Sequence, residues 1–398
     1  MSLNDTPGSE RFQIGFFGRT NAGKSSLVNA VTGQRVALVS PTGGTTTDPV
    51  KKAMEILPLG PVLLIDTPGF DDVSELGESR VERTREILST VDAAVLVTDA
   101  AVGEGEPEKE LIRLISARNI PLLKAVNKAE FLSEEEKKRV LDAGAVPVSA
   151  ETGEGINALK ERIASIGAAK EKKILAGLCK PGDRVILVIP IDESAPKGRI
   201  ILPQQMVLRE LLDLGALAVC CRDSELSAAL AAMKSDPDLV ITDSSVFRAV
   251  SAIVPERVRL TSFSILFARY RGDLDQLAAG ADRLSELKDS SRVLIAEGCT
   301  HHRQCNDIGT VKLPSMISRF CGASPRFEFT SGGAFPEDLS GYDLVVHCGA
   351  CMLSANQMKN RLAAAREAKV PIVNYGVAIA RMTGILDRAL APLETAGG

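Results

Sequence analysis

The sequence predicts an α/β protein with an open, mostly parallel sheet in its N-terminal part and two further α/β units after it. Three observations predict this fold. Continuous apolar runs such as Ala93–Thr98 are typical of parallel strands that are buried on both faces. Helical patterns alternate with these runs along the chain, as they do in doubly wound sheets. A glycine-rich loop that begins at Gly18 follows the first strand and leads directly into a helix.

Residues 1–170 form the first predicted domain. Its predicted strands are short apolar runs, namely Phe12–Phe17, Pro61–Ile65, Ala93–Thr98, Pro121–Val126 and Val146–Ser149. Its predicted helices lie between them, namely Lys24–Val31, Glu75–Ser89, Glu108–Ala117 and Glu134–Ala143. A charged helical end, AAKEKK, closes the domain, and we interpret Gly167–Lys173 as a linker.

Residues 171–262 and 263–398 form two further predicted α/β domains. In the second domain the predicted strands are Arg184–Ile191, Leu217–Cys221 and Asp238–Thr242, and the predicted helices are Gln204–Leu214, Ser224–Met233 and Ser244–Ile253. The second domain has no phosphate loop and no cluster of titratable groups, so we interpret it as a packing or assembly domain. In the third domain the predicted strands are Arg292–Glu297, Leu344–His347 and Pro371–Asn374, and each ends in a loop with polar or sulfur residues.

The overall composition argues against a dedicated nucleic-acid-binding protein. The 398 residues carry 47 Lys and Arg against 51 Asp and Glu, a net charge of −4, so there is no excess of positive charge to hold a phosphate backbone. Trp is absent and there are only three Tyr, which leaves few rings for stacking on bases. We therefore expect no nucleic-acid partner.

The N-terminal segment MSLNDTPGSERFQ is polar, and no run approaches the roughly 18 apolar residues that a membrane span requires. We therefore expect a cytoplasmic protein with no membrane partner. In such a chain the eight Cys are expected to be reduced thiols, metal ligands or catalytic groups rather than a disulfide framework.

The loop Gly18–Ser25 fits the pattern G-x-x-x-x-G-K-S between a strand and a helix. In this arrangement backbone N–H groups and the helix N-terminus surround phosphates. We expect Lys24 to reach the β- and γ-phosphates and Ser25 to bind Mg²⁺. The alternative is a glycine turn with a surface lysine. The residues expected to contact a nucleotide in this loop are Asn21, Ala22, Gly23, Lys24, Ser25 and Ser26.

Three more motifs follow in a characteristic order, each at the end of an apolar strand. They are Asp66-Thr-Pro-Gly69, Asn127-Lys128-Ala-Glu130 and Ser149-Ala150. Together with the phosphate loop, this order resembles the small GTPases of the Era and TrmE type. The resemblance implies that Asp66 holds the Mg²⁺ water shell, that Gly69 senses the γ-phosphate and that Thr46, in the loop 43–48, binds Mg²⁺. It also implies a guanine site formed by Asn127, Lys128, Glu130, Ser149 and Ala150.

Two positions depart from that family. Position 130 is Glu where the family has Asp, and a carboxylate one methylene longer can still accept hydrogen bonds from guanine if the loop adjusts. Position 70 is Phe where Ras-like proteins carry the Gln that orients water, so intrinsic GTP hydrolysis should be slow.

A monovalent cation is the expected aid to hydrolysis. Asn21 stands at the loop position that carries Asn in potassium-activated members of this group. A K⁺ ion held there would supply positive charge in the place of an arginine finger. The alternative for Asn21 is a simple hydrogen bond within the loop. Arg19 could also act as a finger, but we favour a surface role for it.

All three His lie beside Cys in two short motifs. The first, Cys299-Thr-His301-His302-Arg-Gln-Cys305, follows the apolar run VLIAE, and the second, His347-Cys348-Gly-Ala-Cys351, follows LVV. The carboxyl ends of strands form the ligand crevice of open α/β sheets, so parallel neighbouring strands would bring the two motifs together.

Residue chemistry leaves three uses for these motifs open. Three thiolates and one His can hold Zn²⁺, or they can hold an iron–sulfur cluster with one labile ligand. The single Cys in C-x-H is unlike the paired knuckles of structural zinc sites, and the domain has a core without metal, so we favour the cluster. Buried thiols without a metal are the third possibility.

A GTPase followed by C-x-H and then H-C-x-x-C resembles the HydF family, the GTPases that mature the H-cluster of FeFe-hydrogenase, over essentially the whole chain. The resemblance implies a GTPase domain, a dimerisation domain and a domain that binds a 4Fe–4S cluster. It implies that Cys299, Cys348 and Cys351 ligate the cluster and that its fourth position is exchangeable and filled by His, a carboxylate or an exogenous group, with His301 and His347 as the candidate histidines. Cys305 and His302 could be alternative ligands or contact the ligands, but we interpret them as ordinary loop residues. We assign the remaining cysteines to packing, namely Cys179, Cys220, Cys221 and Cys321.

What the resemblance implies for function is a carrier. The chain would bind GTP, Mg²⁺, K⁺ and a 4Fe–4S cluster, accept a diiron subcluster precursor made by radical-SAM maturases, and deliver it to apo FeFe-hydrogenase as a homodimer or higher oligomer. Two alternatives stay open: a ribosome- or tRNA-associated GTPase with a zinc knuckle, and a regulatory switch protein with a vestigial metal site.

Overall fold

The computed structural model describes residues 8–33, 49–70, 77–168, 173–191, 200–298, 308–332 and 334–394. The chain divides into two compact units, Met1–Glu171 with Ser354–Gln357, and Lys172–Leu353 with Met358–Gly398. The predicted α/β class is confirmed, because mostly parallel sheets with intervening helices form both units.

The first unit is built on a six-stranded sheet. Its strands are β1 (Phe12–Phe17), β2 (Val50–Ile56), β3 (Gly60–Asp66), β4 (Ala93–Asp99), β5 (Leu122–Asn127) and β6 (Val146–Pro147). Its helices are α1 (Lys24–Thr32), α2 (Gly77–Thr90), α3 (Glu106–Ala117), α4 (Glu134–Asp142) and α5 (Ile156–Ala168). The strand order is β2-β3-β1-β4-β5-β6, and only β2 runs antiparallel to its neighbour.

Burial on both faces explains why the central strands are continuous apolar runs. Every residue of β4 except Asp99 is buried. Because β1, β3 and β5 run in the same direction, the side chains at their carboxyl ends lie along one edge of the sheet. This is the edge at which open α/β sheets bind their ligands.

The second unit contains two four-stranded sheets, both fully parallel. The first has the order β10-β9-β7-β8, with strands β7 (Arg184–Val188), β8 (Leu217–Cys221), β9 (Leu239–Thr242) and β10 (Leu260–Ser262). The second has the order β12-β11-β13-β14, with strands β11 (Arg292–Ala296), β12 (Arg326–Thr330), β13 (Leu344–His347) and β14 (Ile372–Asn374).

Helices cover these sheets, and one apolar core runs continuously through the unit. The helices that precede β11 are α6 (Leu202–Leu214), α7 (Leu226–Ala232), α8 (Phe247–Ile253), α9 (Phe263–Arg271) and α10 (Leu274–Asp282). Those that follow are α11 (Leu313–Cys321), α12 (Ala355–Glu367), α13 (Tyr375–Met382) and α14 (Leu386–Glu394). Fully buried side chains such as Phe247, Phe263 and Phe267 belong to this core.

Several elements differ from those predicted. The strands β2, β10 and β12 were not predicted, because β2 and β12 are edge strands with charged or exposed residues and β10 has only three residues. The strand predicted to reach Ile191 ends at Val188, two residues before Pro190, which lacks the N–H that a ladder needs. The predicted helices at 224–233 and 244–253 each begin in a 3-10 turn, at Asp223–Glu225 and Ser244–Val246.

Among the described residues, none of the helices has both the length and the apolar character needed to cross a membrane.

Candidate functional site

The phosphate loop connects β1 to α1 and takes a conformation that its sequence permits. Asn21 and Gly23 have φ angles of 64° and 85°, in the left-handed region that Gly and, less readily, Asn tolerate. A Cβ atom at Gly23 would also clash with Nδ2 of Asn127. The conformation of Asn21 gives a backbone reason for its residue type that is independent of any ion.

Lys24 is the first residue of α1, and its side chain folds back over the loop. Its Nζ atom donates hydrogen bonds to the carbonyl oxygens of Gly18, at 2.8 Å, and Arg19, at 2.7 Å. The residue is only 7% exposed. The ammonium group is therefore held inside the curve of the loop, where phosphates bind in proteins with this motif.

Asp66, the last residue of β3, lies beside Ser25. Burial raises the pKa of the Asp66 carboxyl, while a hydrogen bond with Ser25 and the charges of Lys24 and Lys52 oppose that rise. Its Oδ1 atom is buried and makes no hydrogen bond to any described residue. A hydroxyl and an unsatisfied carboxylate oxygen are ligands that Mg²⁺ prefers, so these two residues fit the ion. Thr46, the other predicted Mg²⁺ ligand, lies outside the described residues.

Gly69 approaches the phosphate loop so closely that no side chain fits there. A Cβ atom at this position would clash with Oγ1 and the backbone nitrogen of Thr20. The backbone of the Asp66–Gly69 segment is thereby held against the loop through Gly69. The neighbouring Thr67 fixes the strand end, because its hydroxyl donates a 2.7 Å hydrogen bond to the carbonyl oxygen of Phe16.

The side chain of Asn127 connects three of the predicted nucleotide motifs. Its Nδ2 atom donates to the carbonyl oxygen of Ala22 at 3.0 Å, and its Oδ1 atom accepts from the backbone N–H of Ala150 at 3.1 Å. Asn127 is 2% exposed, and Ser149, next to Ala150, is fully buried. The structure thus brings together residues that lie more than a hundred positions apart in the sequence.

Glu130 and Lys128 lie on either side of Ala129 at the start of a 3-10 turn, Ala129–Phe131. The Oε2 atom of Glu130 is buried and makes no hydrogen bond to any described residue, so it is available to accept from a base. Lys128 has a φ of 65°, and its ammonium group pairs with Asp99 at 2.6 Å. Asp99 was not among the predicted site residues.

Arg19, in the phosphate loop, forms an ion pair with Glu108 of α3. The Nη2 atom of Arg19 donates to Oε2 of Glu108 at 2.6 Å, and that oxygen also accepts from the backbone N–H of Gly105. Glu108 is 1% exposed. The expected surface role of Arg19 is therefore not what the structure shows, because its guanidinium anchors the loop to the first turn of α3.

The two Cys/His motifs follow adjacent parallel strands, as predicted. Strands β11 and β13 pair in a register that sets Ala296 beside His347. Just beyond them, the backbone N–H of Gly298 donates to Sγ of Cys348 at 3.0 Å. Cys299, His301, His302 and Cys305 lie outside the described residues.

Cys348 and Cys351 are the two predicted ligands that the structure describes. Burial raises the pKa of both thiols; for Cys348 the backbone N–H groups of Gly298 and Ala350 oppose the rise. A metal ion would have to displace the proton that burial retains on Cys348, and the backbone N–H groups that point at its sulfur would stabilise the thiolate formed. No group of three His, Cys, Asp or Glu side chains that could hold a metal ion is found within the described ranges.

Both ring nitrogens of the buried His347 are engaged. Nε2 lies 2.8 Å from Nη1 of Arg361, and Nδ1 lies 2.8 Å from the carbonyl oxygen of Cys348. Burial lowers the pKa of His347 to about 4, and the charge of Arg361 adds to this shift, so the ring is neutral at pH 7. Coordination of a metal by His347 would require one of these two contacts to break.

The packing assignment of the remaining cysteines holds in three of four cases. Cys179, Cys221 and Cys321 are partly buried and pack against the apolar core of the second unit. Cys220 is exposed, because it lies on β8, at the edge of its sheet, where the burial pattern leaves it towards solvent. The packing assignment of Cys220 is therefore wrong for the isolated chain.

Three protein-family models match the chain in succession. The model described as 50S ribosome-binding GTPase matches residues 13–128, the hydrogen maturase F dimerization domain matches 174–272, and the hydrogen maturase F tetramerization domain matches 275–392. The latter two together cover more than half of the chain. The chain belongs to the hydrogen maturase F family.

Curated relatives match about two fifths of this family member. GTPase Der of Wolinella succinogenes is 32% identical over 167 residues, which is 39% of this chain and 35% of that protein. The tRNA modification GTPase MnmE of a Synechococcus species is 38% identical over 157 residues, 38% of this chain and 33% of that protein. The chain thus spans about a third of the length of these relatives. Among solved structures, Era of Aquifex aeolicus bound to GDP and AlF4⁻ is 22% identical, with a TM-score of 0.37, over 53% of this chain and 92% of that one.

Membership of the hydrogen maturase F family does not favour the ribosome- or tRNA-associated alternative. The two Cys/His motifs lie within the residues that match the tetramerization domain. Glu108 and Arg361, the partners found beside the two sites, were missed by sequence reasoning. Each is one charged residue on a helix and carries no motif, so no signal in the sequence could have found it.

Proposed function

We propose that this chain is a GTP-hydrolysing carrier in the maturation of FeFe-hydrogenase that holds a 4Fe–4S cluster with an open iron site. The observation that carries the proposal is the 3.0 Å hydrogen bond from Gly298 to the sulfur of Cys348, at the ends of two adjacent parallel strands. Gly298 directly precedes Cys299 in the sequence, which supports the proposal that Cys299 would ligate the same centre as Cys348.

The first unit would bind GTP with Mg²⁺. Lys24 would contact the phosphates, Ser25 and Asp66 would hold the ion, and Asn127 and Glu130 would face the base. The buried oxygens of Asp66 and Glu130 that make no hydrogen bond to described residues support these two roles. Phe70 cannot orient water, so hydrolysis would be slow, with K⁺ at Asn21 as the stimulating ion.

The second unit would hold the cluster through Cys299, Cys348 and Cys351. When bound, such a cluster supplies an iron with an exchangeable fourth position. Because both ring nitrogens of His347 are engaged, we favour His301 or an exogenous group at that position over His347. An open position is what would let the chain accept a diiron subcluster precursor from radical-SAM maturases and pass it to apo-hydrogenase.

The GTPase unit would act as a switch in this transfer. Contacts of the γ-phosphate with Thr46 and Gly69 would order their segments, and hydrolysis would release them. The tight approach of Gly69 to Thr20 supports this role, because a movement of the phosphate loop would displace the backbone of Gly69.

The chain would assemble as a dimer or higher oligomer, with domain boundaries near residues 170 and 262. Strand β8 supports an interface in the second domain, since it is an edge strand that exposes Leu217 and Val219. An exposed apolar edge is a template for pairing with another chain. Residues 174–272, which include β8, match the model described as a dimerization domain. We place the assembled protein in the cytoplasm.

Two substitutions test the metal site. Cys348→Ser should lose at least half of the iron and sulfide of the anaerobically reconstituted full chain, whereas Cys321→Ser, at a partly buried thiol outside both motifs, should retain them. Equal iron content and equal hydrogenase activation in both variants would refute the carrier function and favour a switch protein with a vestigial site.

One substitution tests the nucleotide site. Lys24→Ala should lower GTP turnover at least about a hundredfold, because the ammonium group is the charge held inside the loop. Lys138→Ala, at an exposed residue of α4, is the matched control and should hydrolyse GTP at the wild-type rate. Turnover that survives Lys24→Ala would refute the assignment of the phosphate loop.

A further inference from the structure

Arg361 is a buried arginine of α12 that lies beside the candidate metal loop. Only 6% of the residue is exposed. Its Nη2 atom donates to the carbonyl oxygen of Gly332 at 2.7 Å, and its guanidinium carbon lies 4.8 Å from the centre of the Phe335 ring. Its Nη1 atom contacts Nε2 of His347 at 2.8 Å. The guanidinium is thereby fixed from three sides.

No carboxylate pairs with Arg361 in the parts of the chain that the structure describes, since its polar contacts there are an imidazole and a backbone carbonyl. Arg366, on the same helix, is exposed and pairs with Asp273 at 2.9 Å. A buried guanidinium without an anion is costly, so a negative charge is expected nearby. Cys348, which directly follows His347 in the sequence, would supply such a charge when its thiol loses its proton to a metal.

His347 links Arg361 to the backbone of the loop. Because arginine can only donate, Nε2 of His347 accepts, and the ring proton is therefore on Nδ1. That proton is donated to the carbonyl oxygen of Cys348 at 2.8 Å. The guanidinium is thus linked through the imidazole to the carbonyl group of Cys348.

We propose that Arg361 is a positioning residue for the Cys348–Cys351 loop and the counter-charge for an anionic metal–thiolate centre bound there. The identity of that centre as an iron–sulfur cluster rests on the proposed function. An anionic metal–thiolate centre is more negative in its reduced state, and a fixed positive charge stabilises that state more than the oxidised one. Removal of the charge should therefore lower the reduction potential.

The test of the counter-charge uses Arg361→Gln and Arg361→Lys in the reconstituted full chain, with Arg366→Gln as the matched control on the same helix. At a fixed potential near the wild-type midpoint, the ratio of reduced to oxidised cluster should fall at least tenfold in Arg361→Gln, a shift of about 59 mV for one electron. Arg361→Lys and Arg366→Gln should stay within twofold of wild type. A ratio within twofold in Arg361→Gln overturns the counter-charge role.

The test of positioning uses hydrogen exchange of the metal-free chain. The backbone amides of residues 344–353 should exchange at least fivefold faster in Arg361→Gln and at the wild-type rate in Arg366→Gln. Unchanged exchange in Arg361→Gln overturns the positioning role. Should this variant fail to fold, His347→Gln removes the imidazole link alone, and faster exchange of the same amides is again expected.

Failure of the proposed function has a different signature. A wild-type chain that takes up zinc and no iron–sulfur cluster refutes the carrier function, while the exchange experiment still decides the positioning role. A zinc–thiolate centre is also anionic, so zinc should then bind at least tenfold more weakly to Arg361→Gln than to Arg366→Gln. Equal zinc affinity would overturn the counter-charge role.

Discussion

Nδ2 of Asn127 donates a 3.0 Å hydrogen bond to the carbonyl oxygen of Ala22, so a residue at the end of β5 holds the phosphate loop in place. The same side chain accepts from Ala150, in the segment after β6. The loops that would contact the phosphates and the base are therefore joined through one side chain, and a change at Asn127 should affect both.

Asn127→Ala should weaken GDP binding by about tenfold or more. The substitution leaves the Ala22 carbonyl and the Ala150 N–H without their partner, and a buried polar group left unpaired costs roughly 1–3 kcal/mol. Calorimetric titration measures the affinity. Asn157→Ala, on the exposed face of α5, is the matched control. Wild-type affinity in Asn127→Ala would show that the loops hold their arrangement without this link.

Glu130→Gln should move base preference from guanine towards xanthine. The carboxylate can accept from guanine N1–H and the 2-amino group, whereas xanthine has an oxygen at that carbon and needs a donor, which the amide supplies. Competition of GDP with XDP should show the guanine-to-xanthine ratio falling at least about tenfold. An unchanged ratio would mean that the buried Oε2 atom of Glu130 does not face the base.

Substitutions at Asn21 separate backbone conformation from ion binding. Asn21→Gly keeps access to the left-handed φ of 64° but removes the amide oxygen, whereas Asn21→Asp keeps an oxygen in the same place. Wild-type GTP turnover should be faster in K⁺ than in Na⁺. The difference should vanish in Asn21→Gly and persist in Asn21→Asp. Equal wild-type rates in the two salts would remove the potassium role.

Arg19→Ala should destabilise the GTPase unit by about 2–3 kcal/mol. It leaves the buried carboxylate of Glu108 without its cation; because Arg19 is 28% exposed, the loss should be smaller than the roughly 3–5 kcal/mol of a fully buried pair. Denaturant unfolding of the full chain measures the change. Lys109→Ala breaks an exposed pair with Glu106 and should cost less than about 1 kcal/mol. Equal losses in the two variants would contradict a structural role for Arg19.

Local motifs explain why much of the nucleotide site was predictable. The phosphate loop and the Asp66–Gly69 and Asn127–Glu130 segments each combine a strand end with fixed residue types, and the sheet brings them to one edge. The parallel pairing of β11 and β13, the two strands that lead into the Cys/His motifs, was predictable for the same reason.

Single contacts between distant helices and loops could not be predicted. Arg361 and Arg366 lie five residues apart on α12 and are equally charged in the sequence, yet one is buried against His347 and the other is exposed. Only the packing of α12 on its neighbours distinguishes them. Edge strands such as β2, VKKAMEI, were missed because their exposed faces break the apolar runs that mark buried strands.

Low-temperature EPR, with iron and zinc analysis, on the anaerobically reconstituted chain reduced with dithionite tests the proposed cluster most directly. A carrier of this kind should give the signal of a reduced 4Fe–4S cluster and contain about four irons per chain. Stoichiometric zinc without an EPR signal would contradict it, leaving a GTPase whose Cys348 loop holds a different metal.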